Sequence, residues 1–558
     1  MIKQTVSDRG FKPRWSLTGV VVGAAGYAAA LGPTLLPRTS VTQALAGSVI
    51  AAIGYAAGST VESIVRAGSR RVRRSRGLAP RGQRLGTSWR AGLSIAAVAA
   101  AASLVPMAVA WQEEQRAATL VPGSPPSTPM VIVLSIVVSG GLVYVGRGLR
   151  VLTRRIAQTF VRRGWRVSSA NGAAVVVLLV GFGVVAGLGF AGSIVMFKKA
   201  NNAEPAGQVR PILPTRSGSP ASPITWSSLG VQGRWFISEG PTVEQISAVT
   251  GRAAMEPIRA YAGIETNGDS AARAREAVAD LVRAGGLERS RIVVYTPSTN
   301  GYVDSIAAAG AEYVANGDIA SVSMQYTVLP SAMSMVFNTA DSINAGNLLL
   351  QAARSAVAEL PPDRRPKIYV YGESLGAYGS MAAFDGVGVK GFAEVADGAV
   401  WAGPPFNSAY WLQLNREATG GPAWQPIVAD GSVVRFAANP AGLAEPPAPW
   451  GPNRGVFLQN ATDPVVWWSP DLIWRRPAWL DEPRGPDVPE QMGWLPLVTF
   501  WQVFVDMPAA GSLTMAPGVG HNYRPTVGPA WVAVMQPSDL GPDQQSRMQA
   551  DLDAIVLH

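Results

Sequence analysis

Residues 366–380 read PKIYVYGESLGAYGS. Ile368 to Tyr371 are β-formers, Gly372 and Gly376 bracket Ser374, and Ala377 to Ser380 are mostly small enough to start a helix packed close against a sheet. A strand that turns sharply through G-x-S-x-G into a helix lifts the serine hydroxyl onto the apex of the turn, where it can act as a nucleophile. The same letters also describe a glycine-rich strand–helix turn with no chemistry, so the surrounding sequence decides between the two.

Outward from this stretch the pattern alternates. Residues 257–264 (PIRAYAGI), 291–297 (RIVVYTP), 319–328 (IASVSMQYTV) and 367–374 (KIYVYGES) read as strands, and helical spacing covers 269–284, 302–316 and 340–359. Later strands are expected at 398–403 (GAVWAG) and 455–460 (GVFLQN). Strands alternating with helices of this length predict an α/β domain over 231–558, with a mostly parallel sheet covered on both faces.

A serine nucleophile needs a base. The chain has no cysteine and two histidines, His521 in PGVGHNY and His558 at the last position. His521 lies in a Gly-rich loop and is the candidate base. The orienting acid should fall between serine and histidine in sequence. Asp463 directly follows the strand GVFLQN, at the strand's carboxyl end, where open sheets place ligand-contacting groups; Asp471, Asp481, Asp487 and Asp506 are the alternatives. For an oxyanion, the backbone N–H of Leu375 would pair with one from the loop 296–304 (TPSTNGYVD), at Ser298 or Thr299, expected to follow the third strand. With no cysteine and its two histidines far apart in sequence, the chain is not expected to hold a zinc site of the usual N/S kind, nor any other metal or cofactor.

The first 200 residues have another character. Apolar runs at 16–37, 42–65, 91–111, 130–152 and 172–197 each approach the ~20 residues that cross a bilayer, so 1–198 reads as an all-α bundle of five spans. This part carries 24 basic and 4 acidic residues, so the net charge of +10 divides into +20 here and −10 in the remainder. Nine arginines lie in 66–90 and seven in 147–166, whereas the 112–129 connection holds Glu113 and Glu114. The positive-inside rule then puts the N-terminus and both Arg-rich segments in the cytoplasm and the domain after residue 198 outside. A cleaved signal peptide is a competing reading of the first run, opposed by the spans that follow. Arginines confined between spans point to topology or anionic lipid rather than nucleic acid. No span carries an ionisable residue near its centre, unlike an ion or proton pathway. Gly54-x-x-x-Gly58 and Gly183-x-x-x-Gly187 would allow close helix approach. The Pro- and Ser-rich stretch 199–230 reads as a linker with a reach of tens of Å.

Two aromatic groups flank Asp463. Trp411, Trp424 and Trp450 fall in or beside 404–454, an insertion expected to cap the site, while Trp467, Trp468, Trp474, Trp479, Trp494 and Trp501 follow it. They either pack internally or form an apolar acyl groove or headgroup contact.

With the words PIRAYAG, GDIASVSMQYTVLPS, GESLGAYGS, WAGPPF, LQNATDPVVWWSP and GVGHNY, the chain from about 230 onward resembles an actinobacterial family of membrane-anchored α/β-hydrolases, long described as a domain of unknown function. In that family an N-terminal multi-span domain precedes a C-terminal hydrolase domain. The resemblance implies Ser374 as nucleophile, Asp463 as acid and His521 as base. The chain departs from the family in the oxyanion loop, where a Gly-rich run ending in Gly-Trp is replaced by Thr299, Asn300 and Tyr302. Residues and resemblance together lead to the expectation of an extracytoplasmic serine hydrolase. Its substrate would be a carboxylic ester, acyl or aminoacyl, of a lipid or cell-envelope glycolipid, with the bilayer and no nucleic acid as partner. An acyltransferase sharing the acyl-enzyme and a non-catalytic membrane scaffold are the alternatives. No motif encodes oligomeric state or acyl length.

Overall fold

The runs of β-formers assemble into β1 Ile258–Ala262, β2 Arg291–Thr296, β3 Ile319–Met324, β4 Lys367–Glu373, β5 Gly398–Ala402, β8 Val434–Ala437 and β9 Arg454–Leu458, while β6 Ala418–Gly420 and β7 Ile427–Val428 form a separate two-stranded ribbon. The computed structural model describes residues 15–76, 86–337, 339–512, 515–537 and 539–557; His558 and part of the 66–90 loop lie outside the described residues. The seven-stranded sheet runs β1-β3-β2-β4-β5-β9-β8 with every pairing parallel. β1, β3, β5 and β8 are buried along their whole length, as a parallel sheet covered on both faces requires. The parallel order brings the carboxyl ends of β2, β4, β5 and β9 side by side; Ser298, Thr299, Ser374, Leu375 and Asp463 lie where the chain leaves β2, β4 and β9, while His521 comes from the connection between helices Val498–Ala510 and Arg524–Met535. The loop 296–304 follows the second strand in chain order, not the third, but β2 is the neighbour of β4, so the loop still borders the elbow.

The insertion 404–454 is not a unit separate from the sheet, as the expected cap would be. Val434–Ala437 continues the main sheet as its edge strand beside β9. Its aromatic residues mainly pack: Trp411 is buried and donates to Gln459 Oε1 at 2.8 Å, Trp424 donates to the Pro483 carbonyl, and Trp450 lies under Arg435 with the guanidinium 4.0 Å from the ring centre. The stretch 199–230 is held rather than loose. The helix Val167–Asn201 ends at Asn201, Arg216 bridges to Arg259 of β1, and the buried Ser217 hydroxyl donates to Asp280.

Among the described residues, four helices of the N-terminal region are long and apolar enough to cross a membrane, Ser40–Arg73, Ser88–Thr119, Thr128–Arg162 and Val167–Asn201. The first predicted span, 16–37, is helical only over Leu17–Ala30. Fourteen residues rise about 21 Å, short of the ~30 Å hydrocarbon core. The helix ends at Ala30, Pro33 bars its continuation three residues on, and the chain from 31 to 38 turns into the hydrolase domain. Leu35 joins that domain's core, and Leu36 packs with Ala510, Met515 and Val519.

Gly54 and Gly58 behave as expected. A Cβ at either would lie 2.8 or 2.6 Å from the Val22 or Thr18 carbonyl, so helices Leu17–Ala30 and Ser40–Ser75 touch backbone to backbone. Gly183 and Gly187 meet nothing within 4 Å among the described residues, and their helix is largely exposed along its most apolar part. Arg90 contacts Glu62 and the Trp15 carbonyl at one end of the bundle. At the other end Gln115 donates to the Thr34 carbonyl, and the hydrolase domain begins. The described parts of the Arg-rich connections and the hydrolase domain therefore sit at opposite ends of the helices.

Candidate functional site

Ser374 has φ 54° and ψ −123°, a conformation that costs a non-glycine residue about 1–3 kcal/mol. Two glycines make the turn possible. A Cβ on Gly372 would lie 2.4 Å from the Gly376 carbonyl, and one on Gly376 would lie 2.3 Å from the Thr296 carbonyl. The turn is thus pressed against both its own helix, Leu375–Met381, and the end of β2. Ser374 N–H bonds to the Ala402 carbonyl at 2.9 Å, tying the elbow to the end of β5.

The next residue along β5's exit, Gly403, has φ 55°, and a Cβ there would stand 2.1 Å from His521 Cε1. The imidazole therefore occupies the space that a side chain would fill, beside the strand end that holds Ser374. His521 Nδ1 and Asp463 Oδ2 are 2.6 Å apart, while Nε2 is buried and makes no hydrogen bond among the described residues. Asp463 is wholly buried. Its Oδ2 also accepts from Tyr523 Oη at 2.5 Å, and its Oδ1 accepts from Val465 N–H at 2.8 Å, capping the short helix Pro464–Trp467. The two loops are laced together by Asn460 Nδ2 donating to the Gly520 carbonyl and Gly520 N–H donating to Thr462 Oγ1. The structure thus brings Asp463 and His521 into direct contact, and both lie near the elbow.

The other aspartates are engaged elsewhere. Asp471 and Asp481 lie near Arg475 and Arg476 at the surface, Asp487 is exposed, and Asp506 pairs with Arg38. Leu375 begins its helix, so its N–H has no carbonyl within the helix to bond. In the opposing loop Ser298 N–H already donates to the Tyr302 carbonyl at 2.7 Å. Thr299, at φ 44° and buried, is the remaining candidate of the two.

Several groups near the site carried no signal that separated them in sequence. Tyr523 stands two residues past the histidine, in GHNY. Asp304 accepts from Tyr371 Oη at 3.2 Å and from Ile306 N–H. Burial raises the Asp304 carboxyl despite those donors. Glu373, the residue before the nucleophile, is pushed up to about 8 by burial and by the Asp304 charge, with His521 pulling the other way. For His521, burial favours the neutral ring, but Asp463, through charge and hydrogen bond, and Glu373 outweigh it and raise the pKa to about 9.

A base must be neutral to accept a proton, so reactivity should climb with pH toward about 9 rather than level off near 6.5. At pH 7 about a hundredth of the imidazole is neutral. Labelling of Ser374 by a fluorophosphonate should quicken about tenfold per pH unit between 6.5 and 8.5, and Glu373→Gln should move the rise to lower pH. A flat rate over that range would exclude His521 as the base. The sign for stability is opposite. Both groups bind protons more tightly folded than unfolded, so the contribution of Glu373 declines as pH rises from 4.5 to about 8, and that of His521 from 6.5 to about 9.

Among known proteins, no curated protein and no solved structure matches the chain. Residues 258–548 match the Alpha/beta-hydrolase family, and residues 31–241 match the Alpha/beta-hydrolase family N-terminus. The second match begins where the chain leaves its first helix and runs through the packed 199–230 stretch. The sheet order, the elbow after β4 and these two matches lead to one conclusion: the chain belongs to this Alpha/beta-hydrolase family, with both its N-terminal region and its hydrolase domain represented.

Proposed function

We propose that the protein is a membrane-anchored serine hydrolase that cleaves a carboxylic ester, acyl or aminoacyl, of a lipid or cell-envelope glycolipid, with its catalytic domain outside the cytoplasm. The observation that carries this reading is the 2.6 Å Asp463–His521 contact beside the strained Ser374 turn. Ser374 Oγ attacks the ester carbonyl while His521 Nε2 takes its proton, and Asp463 steadies the imidazolium that forms. The N–H groups of Leu375 and Thr299 receive the oxyanion. His521 then protonates the leaving alcohol, and a water activated by the same nitrogen releases the acid from the acyl-enzyme. The Arg-rich connections lie at the end of the bundle away from the hydrolase domain, and under the positive-inside rule this supports an extracytoplasmic catalytic domain.

The test is chemical. The full-length protein in detergent, treated with an alkyl fluorophosphonate and digested, should yield a single modified peptide, 366–380 or a fragment of it, carrying the adduct on Ser374. Absence of an adduct, or an adduct on another serine, would sink the nucleophile assignment. Protease added to intact cells should cut the hydrolase domain; complete protection would reverse the orientation.

A further inference from the structure

Helix Val498–Ala510 carries an aromatic face that the proposed chemistry does not use. Phe500 and Phe504 stack nearly parallel, with ring centres 6.4 Å apart and planes 5° apart. Trp468 meets them at 5.2 and 5.8 Å, and Phe406 meets Trp468 edge-on at 5.3 Å. The two ends of this ladder lie in different places. Phe406 is three residues past Gly403, which touches the His521 ring, and Trp468 is five residues past Asp463. At the other end Val498 packs with Ala30 and Ile50, and Trp501 leans on the same cluster.

Ile50 is ten residues into helix Ser40–Ser75, about 15 Å along its axis at 1.5 Å per residue. The start of helix Val498–Ala510 is therefore level with the apolar part of a membrane-crossing helix, not with its end. Phe504 is 44% exposed and Leu495 45%, so the face is open rather than covered by the described residues. Open aromatic and aliphatic surface continuous with membrane helices is surface that lipid covers.

We propose that this face is the lipid-access surface of the enzyme. A lipid ester from the bilayer leaflet on the hydrolase side lays its acyl chain along Phe504, Phe500 and Trp468, and its ester group passes Phe406 to reach Ser374. The proposal rests on Ser374 being the nucleophile and adds where the acyl chain binds and that it arrives sideways from the membrane. It needs no knowledge of the headgroup.

The experiment uses the full-length protein in phospholipid nanodiscs and two probes, hexadecyl fluorophosphonate dissolved in the bilayer and ethyl fluorophosphonate in the water. Both react by the same step: Ser374 Oγ bonds to phosphorus, fluoride leaves, and His521 takes the serine proton. Phe504→Ser, and separately Trp468→Ala, should lower the ratio of long-chain to short-chain labelling rate about tenfold, within the range that changes of hydrophobic contact produce. Phe504→Leu should keep the ratio within about twofold. An unchanged ratio in both Phe504→Ser and Trp468→Ala overturns the proposal, as does an equal fall with both probes. An unchanged ratio accompanied by a change of oligomeric state would make the face an interface between copies and likewise overturn it. If wild type takes up neither probe, the nucleophile reading itself has failed, which is distinct from labelling that ignores the aromatic face.

Discussion

Asp463→Asn should slow Ser374 labelling by about four orders of magnitude while leaving the fold intact. Asp463 receives three hydrogen bonds, from His521 Nδ1, Tyr523 Oη and Val465 N–H. Asparagine is isosteric, keeps an oxygen for the helix cap, and is as good a capping residue as aspartate. Its NH₂ group, however, turned to His521, makes Nδ1 an acceptor and moves the ring proton to Nε2. A ring protonated at Nε2 cannot take the proton of Ser374. The substitution also removes the charge that does most to hold the His521 pKa up near 9, so the residual rate should level off at lower pH than in wild type. Labelling within tenfold of wild type would transfer the acid role away from Asp463. Thermal unfolding measured beside it separates loss of chemistry from loss of structure.

The second large effect is expected far from the serine. Arg38 Nε donates to Asp506 Oδ1 at 2.8 Å and its Nη2 to the Gln502 carbonyl, and both charged side chains are about 1% exposed. The Arg38 N–H reaches Gln112 Oε1, so one residue joins helix Val105–Thr119 to helix Val498–Ala510. Arg38→Met strands the Asp506 carboxylate in the interior, and stranded partners of buried pairs cost about 3–5 kcal/mol. Thermal unfolding of the full chain in detergent should fall accordingly, and the pair Arg38→Met with Asp506→Leu should recover most of the loss. A single variant that melts like wild type would show that the contact carries no weight.

Much of the hydrolase domain was readable because its signals are local. The strands at 258, 291, 319, 367, 398 and 454 are dense runs of β-formers, and with only two histidines in the chain His521 stands out as the candidate base. What escaped reading depends on distant partners. Val434–Ala437 is four residues among glycines and prolines, and only its pairing with β9 makes it a strand. The 199–230 stretch has the composition of a loose linker, yet Arg216 and Ser217 are fixed by β1 and Asp280, neither visible from that stretch. Leu31, Leu35 and Leu36 are as apolar as lipid-facing residues but are buried by protein, and hydropathy does not tell the two apart; Pro33 and Pro37 were the only local warning. Glu373 and Tyr523 lay in plain view beside the expected site residues, but proximity in sequence does not say which way a side chain turns.

The Arg38–Asp506 contact spans 468 residues, which sets an order of events during synthesis. The first helix leaves the ribosome early, while its hydrolase-side partner does not yet exist. At about 5–20 residues per second the wait is roughly 25–95 s. Through that interval the 31–38 turn has neither helix Val498–Ala510 to cover its leucines nor Asp506 to neutralise Arg38. The N-terminal bundle is therefore finished from the C-terminal side, and a chain truncated before residue 498 would leave its first helix without a lid.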